Sequence, residues 1–296
     1  MLYKYVSLSR KSILEDGLIR FSQPSVFNDP FDLNPNFSLM ADQDFFAPNN
    51  DSNADVWSKS VAQPDAINLM METMALGIQA EISKFAGSLG NYALRPNAIA
   101  RSTLDSMYGV LSLTDSPENL LMWAHYADSH NGFVLQLDES HEFFGSKFID
   151  GVEFGLTKVE YSNSRPVLTH RSFKSPTVLY RKSPEWTYEN EWRLVRPLGD
   201  AHKTIDAKPY PIALFQIPFD AIKGVIIGVA VSHEERIKIF ELLGTSERKH
   251  ITIFQTRLCD ENYQLKIDPP LDGKVDQDAL NGRVLPPNIN LMITIQ

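Results

Sequence analysis

Cysteine and long hydrophobic runs are the scarcest features of this 296-residue sequence. The single cysteine, Cys259, excludes an internal disulfide framework and suits a reducing cytosol, so we expect a cytoplasmic protein. No apolar run reaches the length of a membrane-spanning helix, so no membrane partner is expected. The first residues, MLYKYVSLSR, lack the charged and then apolar pattern of a signal peptide and predict a first strand instead.

An excess of positive charge is also missing, since 37 acidic and 28 basic residues give a formal net charge of −9. A basic footprint over the whole molecule, typical of nucleic-acid-binding proteins, is therefore excluded. One local stretch, Arg165 to Lys182, carries three arginines, two lysines and a histidine without an acid. We interpret it as a solvated loop and strand, with a basic cleft as the alternative.

Two kinds of ligand motif are absent as well. No glycine-rich turn joins a strand to a helix, so neither a P-loop nor a dinucleotide-binding Rossmann unit is supported. The seven histidines are scattered and the lone cysteine has no partner, so no metal site is expected.

The pattern of strands and helices predicts an α+β fold: a single domain, residues 1–268, around a mixed, mainly antiparallel β-sheet with helices inserted early and between strands. A polar insertion is expected at about 34–64, helices at about 66–89, and a Pro-rich tail at 269–296. Strands are predicted at LYKYVS, LIRFS, GVLSLT, GFVLQLD, VEYS, ENEWRLV, on both sides of the turn in FQIPFDAIKGVIIGV, and at ITIFQTRL.

Three helices carry recognisable end signals. The first is expected from Ser9 to Asp16, with Ser9 as its cap and Gly17 just beyond its end. The second is expected to begin at Ser116, with Pro117 in its first turn. The third is expected from Ser232, which forms a capping box with Glu235.

The segment Trp186 to Pro197, WTYENEWRLVRP, carries the strongest candidate for chemistry. Its expected strand places Glu189 and Glu191 on one face, where two like charges repel and a half-buried carboxylate is costly unless it is paired or used. A fixed carboxylate between aromatic walls can stabilise an oxocarbenium-like centre. The alternative is a structural strand whose glutamates pair with Arg193, Arg196 or Arg181.

A second candidate is the turn FNDPFD, which presents polar groups between two phenyl rings. Phe27 and Phe31 can stack on a flat ring, and Asn28, Asp29 and Asp32 can hold a ribose or an amide. The alternative is an anchored turn whose Asn and Asp bond backbone amides.

Further candidates lie on one helix and on the first strand. The helix sequence Met122-Trp123-Ala124-His125-Tyr126 has one face for the core and offers His125 or Tyr126 to a cleft, although packed side chains are the alternative. Lys4, between Tyr3 and Tyr5, is placed to meet a phosphate, and the alternative is an edge lysine that opposes aggregation.

These residues together resemble an uncharacterised bacterial domain family, and the similarity runs from the N-terminus to about Gly228. Its pattern is matched by Tyr3-Lys4-Tyr5, Ile13-Leu14, Gly17, Phe27 to Asp32, Leu111-Ser112, Leu121-Met122-Trp123, His125-Tyr126-Ala127, Gly132-Phe133 and Glu189-x-Glu191-x-Arg193.

The order of motifs is also similar to the ADP-ribosyltransferase superfamily, especially its DNA-modifying toxin branch. The similar segments are Lys11 to Leu18, the Phe/Asn/Pro-rich turn, and the late strand from Glu191 to Val195. This resemblance implies that Glu191 stabilises the transition state as nicotinamide leaves NAD, and that Glu189 orients or deprotonates the acceptor. It also implies a set of NAD-binding residues, namely Lys4, Tyr5, Arg20, Phe27, Asn28, Asp29 and Phe31, and a set of acceptor or cleft residues, namely Trp123, His125, Tyr126 and Arg193.

The function expected from this resemblance is an ADP-ribosyltransferase-like enzyme that uses NAD to modify a nucleic acid or a protein, in toxin or phage-defence systems with an antitoxin or defence partner. The alternative is a non-enzymatic module that senses a nucleotide or a protein in bacterial defence. Hydrolysis by paired carboxylates is a weaker option, because the glutamate spacing suits one face of one strand more than two sides of a bond.

Overall fold

A computed structural model describes residues 1–34, 36–37, 96–149, 152–168 and 176–270. The predicted helices at 66–89, the tail from 271 onward, and the predicted insertion at 34–64 apart from Asn34, Asn36 and Phe37 lie outside these residues. Four α-helices occur in the described part, namely α1 (Ile13–Asp16), α2 (Pro96–Met107), α3 (Leu120–Tyr126) and α4 (His233–Leu243).

The strands of the described part are as follows, in chain order: β1 (Leu2–Val6), β2 (Leu18–Phe21), β3 (Asn36–Phe37), β4 (Tyr108–Thr114), β5 (Phe133–Leu137), β6 (Lys147–Ile149), β7 (Val152–Phe154), β8 (Thr157–Lys158), β9 (Glu160–Tyr161), β10 (Val167–Leu168), β11 (Arg181–Lys182), β12 (Glu191–Pro197), β13 (Lys203–Ile205), β14 (Ile212–Gln216), β15 (Ile222–Ile227), β16 (Thr252–Leu258) and β17 (Leu265–Ile267). The predicted α+β class with a mixed, mainly antiparallel sheet is confirmed.

The chain forms two compact units. The first comprises Met1–Lys4, Asp16–Pro117 and Asp138–Ala221. In it, β4 pairs antiparallel with β12 along its whole length, from Thr114 opposite Glu191 to Tyr108 opposite Pro197. β12 also pairs antiparallel with β8, and β14 pairs antiparallel with β13 and β2. This unit also contains two short parallel pairs, β3 with β10 and β9 with β11, and the antiparallel pair of β6 with β7.

An apolar core lies on one face of β4 and β12 in the first unit. Alternate residues of a strand share a face, so Tyr108 and Val110 of β4 point the same way as Val195 of β12. These side chains belong to a buried cluster whose members are Leu33, Leu104, Tyr108, Val110, Phe154, Val178, Leu179, Tyr180 and Val195. The same face continues toward Glu191 and Arg193, so this core leads directly to charged residues.

The second unit comprises Tyr5–Glu15, Glu118–Leu137 and Ile222–Gln296. β15 pairs antiparallel with β5 and parallel with β16, and β16 pairs antiparallel with β17. β5 and β15 are nearly continuous apolar runs, FVLQL and IKGVII, as expected of strands covered on both faces. Trp123, Phe133 and Leu135 are completely buried in this unit.

Helix starts differ from the predictions where a better acceptor is available. The helix predicted from Ser9 is instead a 3-10 turn, Leu8–Arg10, followed by the short α1, and its cap is Ser7 and not Ser9. Gly17 lies just past the end of α1, as predicted, and has a φ of +66°. α3 begins after Asn119, because the Asn119 side chain accepts two amide protons, whereas Ser116 donates its own amide to Thr114.

The predicted cap of α4 is confirmed, since Ser232 Oγ accepts the Glu235 amide at 3.3 Å. Within the described residues, no helix has both the length and the apolar character that crossing a bilayer requires.

Candidate functional site

Two charged residues of β12 lie on the same face as the core of the first unit. Glu191 stands opposite Thr114 of β4, and Arg193 stands opposite Ser112. Both charged side chains are buried, Arg193 completely and Glu191 to 2% exposure. Since an isolated buried charge is very costly, each of them has to be compensated nearby.

The prediction that Glu189 and Glu191 share one face of a single strand is wrong. Glu189 is the last residue of a 3-10 helix, Pro184–Glu189, and β12 starts only at Glu191. Asn190 between them has left-handed backbone angles, φ 44° and ψ 49°, which asparagine tolerates better than most residues. This turn still brings both carboxylates to one cation: Lys182 Nζ lies 2.5 Å from Glu189 Oε2 and 3.1 Å from Glu191 Oε2.

Arg193 ties the strand to the FNDPFD turn. Its Nε and Nη2 donate to the two oxygens of Glu191 at 2.8 and 2.9 Å, a bidentate pair. Nη2 also donates to Asp32 Oδ2 at 2.6 Å, and Nη1 donates to the Leu179 carbonyl at 2.9 Å. Arg193 therefore joins two segments of the chain through a planar group that keeps its charge.

We define the charged cluster as Asp32, Lys182, Glu189, Glu191 and Arg193. Three carboxylates and two cations give it a formal charge of −1 (−3 + 2). Asp32 is 2% exposed, and its second oxygen, Oδ1, has no hydrogen-bond partner within the described residues. The cluster is thus a buried, strongly polar centre with a small surplus of negative charge.

Burial and charge pairing act in opposite directions on the acid and the bases of the charged cluster. Burial disfavours the ionised form of Glu191, but the charges of Arg193 and Lys182, with hydrogen bonds from Arg193 and Ser112, outweigh it and lower its pKa to about 2. Burial likewise opposes protonation of Lys182 and Arg193, yet the facing carboxylates raise the pKa of both. Glu191 is therefore a permanently ionised carboxylate at neutral pH.

Aromatic rings border the charged cluster. The Arg193 guanidinium lies over Phe27 at 5.4 Å, and Lys182 Nζ lies 4.9 Å from the centre of the Trp186 ring. The Tyr161 hydroxyl accepts the Glu191 amide proton at 2.9 Å. Burial, supported by the charges of Glu191 and Glu189, raises the Tyr161 pKa to about 12, so this hydroxyl stays protonated.

Other predicted residues of the first unit lie around the FNDPFD turn and on the strands. Asn28 is exposed, whereas Asp29 is buried and accepts the Phe31 amide at 2.8 Å, as expected for an anchored turn. Phe31 is 63% exposed, and Arg165 lies 5.7 Å from its ring. This turn therefore combines a buried polar anchor with one solvent-facing ring.

Two predicted cations lie on strands of the first unit. Lys4 Nζ donates to the Ser112 carbonyl at 2.8 Å, so it contacts β4 through the backbone. Arg20 is half-buried on β2, opposite Leu214 of β14. Neither contact involves a carboxylate of the charged cluster.

Four predicted residues belong to the second unit: Tyr5, Trp123, His125 and Tyr126. Tyr5 and Trp123 are buried and meet edge to face at 5.4 Å, so they are core residues. His125 is exposed, and its ring lies 6.1 Å from that of half-buried Tyr126. The packed alternative therefore fits Trp123, whereas His125 remains accessible.

Lys182 was not predicted as a site residue, and Asp32 was predicted only as part of the FNDPFD turn. Lys182 ends the basic stretch that we interpreted as solvated, yet it is 7% exposed. The available signal was its place nine residues before Glu191, across a proline-initiated helix. Asp32 closes the FNDPFD motif and was predicted to help hold a ribose or an amide, whereas it accepts a hydrogen bond from Arg193.

The predicted partners of the glutamates are only partly correct. Arg193 pairs with Glu191 as expected. Arg181 instead pairs with Glu160 at 2.8 Å, and Arg196 donates to the carbonyls of Phe143 and Gly145. Within the described residues, no group of three or more His, Cys, Asp or Glu side chains has an arrangement suited to a metal ion.

Comparison with known proteins concerns about a quarter of the chain. Searches of curated proteins and of solved structures gave no match. Residues 122–194 match the family model described as "Protein of unknown function (DUF2971)". This segment begins within the LMW motif and ends in β12, so it contains Lys182, Glu189, Glu191 and Arg193. The match fits the uncharacterised domain family that the motifs predicted.

Proposed function

We propose that the chain is an ADP-ribosyltransferase-like enzyme that uses NAD to modify a nucleic acid or a protein. One observation supports this most: Asp32 of the FNDPFD turn meets Glu191 and Arg193 of the late strand in one cluster. The turn and the late strand are two of the three segments that carry the resemblance to ADP-ribosyltransferases. We further propose a cytoplasmic role in toxin or phage-defence systems, with an antitoxin or defence partner.

In this proposal Glu191 supplies the fixed negative charge. Loss of nicotinamide from NAD leaves an oxocarbenium-like sugar, which a preorganised carboxylate in a dry site stabilises. Glu191 meets the electrostatic requirement, because Arg193 and Lys182 keep it ionised. Glu189 then orients or deprotonates the acceptor.

Access is the second requirement of the enzyme proposal. Glu191 is 2% exposed and Glu189 is 3% exposed, so a sugar has to displace part of the cover before it reaches either carboxylate. The segment 183–190, a 3-10 helix and a left-handed asparagine, links Lys182 to Glu191. In this proposal it is the part of the cover that moves. Closure of such a segment over bound substrate also excludes water.

The low exposure of the two glutamates favours a second candidate, a non-enzymatic nucleotide- or protein-sensing module. In that case the charged cluster holds the fold, and recognition falls to the more exposed groups near it. Trp186 and Tyr188 are half-buried with rings 6.0 Å apart, and Phe31 is 63% exposed. Such rings supply stacking surface without chemistry.

Nicotinamide release from NAD, with bacterial lysate supplying acceptors, separates the two candidates. The variants are Glu191→Gln and, as a matched control, Glu185→Gln, an exposed glutamate on the 3-10 helix beside the cluster. The enzyme proposal expects release by the wild type and by Glu185→Gln, and loss of release in Glu191→Gln.

Equilibrium binding of NAD by calorimetry completes the test. Binding without release by the wild type supports the sensing module. Undiminished release by a folded Glu191→Gln variant contradicts the role given to Glu191.

A further inference from the structure

Lys182 is the one residue of the charged cluster that contacts all three carboxylates. Its Nζ lies 2.5 Å from Glu189, 3.1 Å from Glu191 and 3.5 Å from Asp32. Its side chain is 5% exposed, so the ammonium has exchanged water for these three partners. We propose that Lys182 is the positioning residue of this site: it acts through Glu189 and Glu191, holding both carboxylates in one arrangement, and does not itself touch substrate.

The backbone around Lys182 is held in place independently of its charge. Lys182 ends β11 and lies opposite Tyr161 of β9, and its carbonyl accepts the Ser162 amide at 2.9 Å. Tyr161 in turn accepts the Glu191 amide through its hydroxyl. The Lys182 backbone and the start of β12 are therefore both fixed to β9. The position from which the Lys182 side chain extends is thus fixed relative to Glu191.

The turn at Asn190 makes the second half of the arrangement. Residues 183–190 leave Lys182 and return to it, because the left-handed Asn190 directs Glu189 and Glu191 toward the same ammonium. The Lys182 ammonium thus holds together the two ends of the segment 183–190. Lys182 Nζ also lies over the ring of Trp186, which belongs to the same segment. Lys182 therefore contacts this segment through an aromatic ring as well as through the carboxylate of Glu189.

Charge counting separates positioning from simple packing. The charged cluster carries −1 with Lys182 and −2 without it, so loss of the ammonium drives one carboxylate to take up a proton or to move. The charged and titratable groups that face Lys182 are Asp32, Glu189, Glu191, Arg193, Tyr161 and Tyr188. Since both tyrosines have raised pKa values, the carboxylates are the groups that respond in acid.

The test compares Lys182→Met, Lys182→Arg and the double variant Lys182→Met/Glu189→Gln with the wild type. The double variant has two carboxylates and one cation, which restores the wild-type charge of −1. Urea unfolding midpoints are measured between pH 3 and pH 8. Stability that depends on ionised Glu191 is lost as the pH falls below about 4.5, and we call this loss the acid limb. We expect Lys182→Met to have a smaller acid limb over a narrower pH range than the wild type, because loss of the Lys182 charge raises the folded-state pKa of Glu191 toward its unfolded value.

Lys182→Arg and the double variant are expected to keep the acid limb within about half a pH unit of the wild type. A uniform loss of stability in Lys182→Met with an unmoved acid limb overturns the proposal, because a packing role alone predicts it. If Lys182→Met does not fold, the double variant decides: a wild-type acid limb supports positioning, and a failure to fold contradicts it.

A second test measures enzyme activity, and it rests on the proposed function. If the wild type releases nicotinamide, Lys182→Met lowers kcat at least about tenfold with KM changed less than about twofold, and Lys182→Arg recovers part of kcat. An unchanged kcat in Lys182→Met overturns the positioning role in catalysis. A wild type without NAD turnover refutes the proposed enzyme and leaves the unfolding test of Lys182 as it stands.

Discussion

Arg193 and Asp32 are separated by 161 positions in the sequence and joined by a 2.6 Å hydrogen bond between Nη2 and Oδ2. The bond connects the turn after β2 with the centre of β12, inside the first unit. Because Arg193 also binds Glu191, one guanidinium connects the FNDPFD motif with the late glutamate motif. The two motifs therefore depend on each other for charge balance.

Replacement of Arg193 by methionine is expected to cost about 3–5 kcal/mol of unfolding free energy, because it leaves Glu191 and Asp32 in a buried site with less compensation. Urea denaturation at pH 7 measures the change. Arg257→Met is the control: its partner Asp268 is at 2.6 Å, but the two side chains are 47% and 37% exposed. That surface pair is expected to contribute less than about 1 kcal/mol. Similar costs for both variants would contradict the buried network.

Glu191→Gln is expected to change the pH dependence of stability with a defined sign. The folded state lowers the Glu191 pKa from 4.5 to about 2, so its ionised form stabilises the fold above pH 4.5 and this contribution is lost as the pH falls toward 2. Linkage makes the full contribution about 3 kcal/mol. The stability difference between wild type and variant should therefore narrow in acid. Denaturation midpoints from pH 7 to pH 3 measure it, and a constant difference would refute the assignment.

Strands and the cap at Ser232 were predictable because their signals are local. Alternation and short apolar runs identified β1, β4, β5 and β12, and the capping box identified the start of α4. The cap of α3 was misplaced because Asn119 competes with Ser116 for the same role. Local sequence pattern alone does not show which of two possible capping residues, three positions apart, begins the helix.

The charged cluster was only partly predictable because its contacts are not local. The sequence indicated that Glu189 and Glu191 need compensation, and Arg193 was among the expected partners. Lys182 was missed because charge pattern along the chain places a basic stretch in solvent, whereas the fold turns its last lysine inward. The pairing of Asp32 with Arg193 was missed because the two residues lie 161 positions apart.

Gly228 is expected to be intolerant of any side chain. A Cβ at this position would lie 2.2 Å from the His130 carbonyl oxygen, 2.8 Å from that of Gly132 and 2.9 Å from the buried ring of Trp123. Two of these atoms are backbone, so Gly228→Ala is expected to cost at least about 1–3 kcal/mol through overpacking. Gly199→Ala is the control, since nothing lies within 4 Å of its Cβ. Thermal unfolding of both variants measures the difference, and equal midpoints would contradict the packing.

Asn190 offers a test of the turn that joins the two glutamates. Its φ of 44° is costly for a residue with a Cβ and an apolar side chain, so Asn190→Ala is expected to lose about 1 kcal/mol of stability. Asn190→Gly is expected to stay within a few tenths of a kcal/mol, because glycine adopts this conformation freely. Urea unfolding gives both values. Asn190 also sets the directions of Glu189 and Glu191 toward Lys182. The loss of stability in acid that comes from ionised Glu191 should therefore be smaller in the alanine variant and unchanged in the glycine variant. A valine variant is expected to be worse than alanine, because a β-branched side chain resists positive φ. Equal stability of the glycine and valine variants would show that the left-handed turn does not hold in solution.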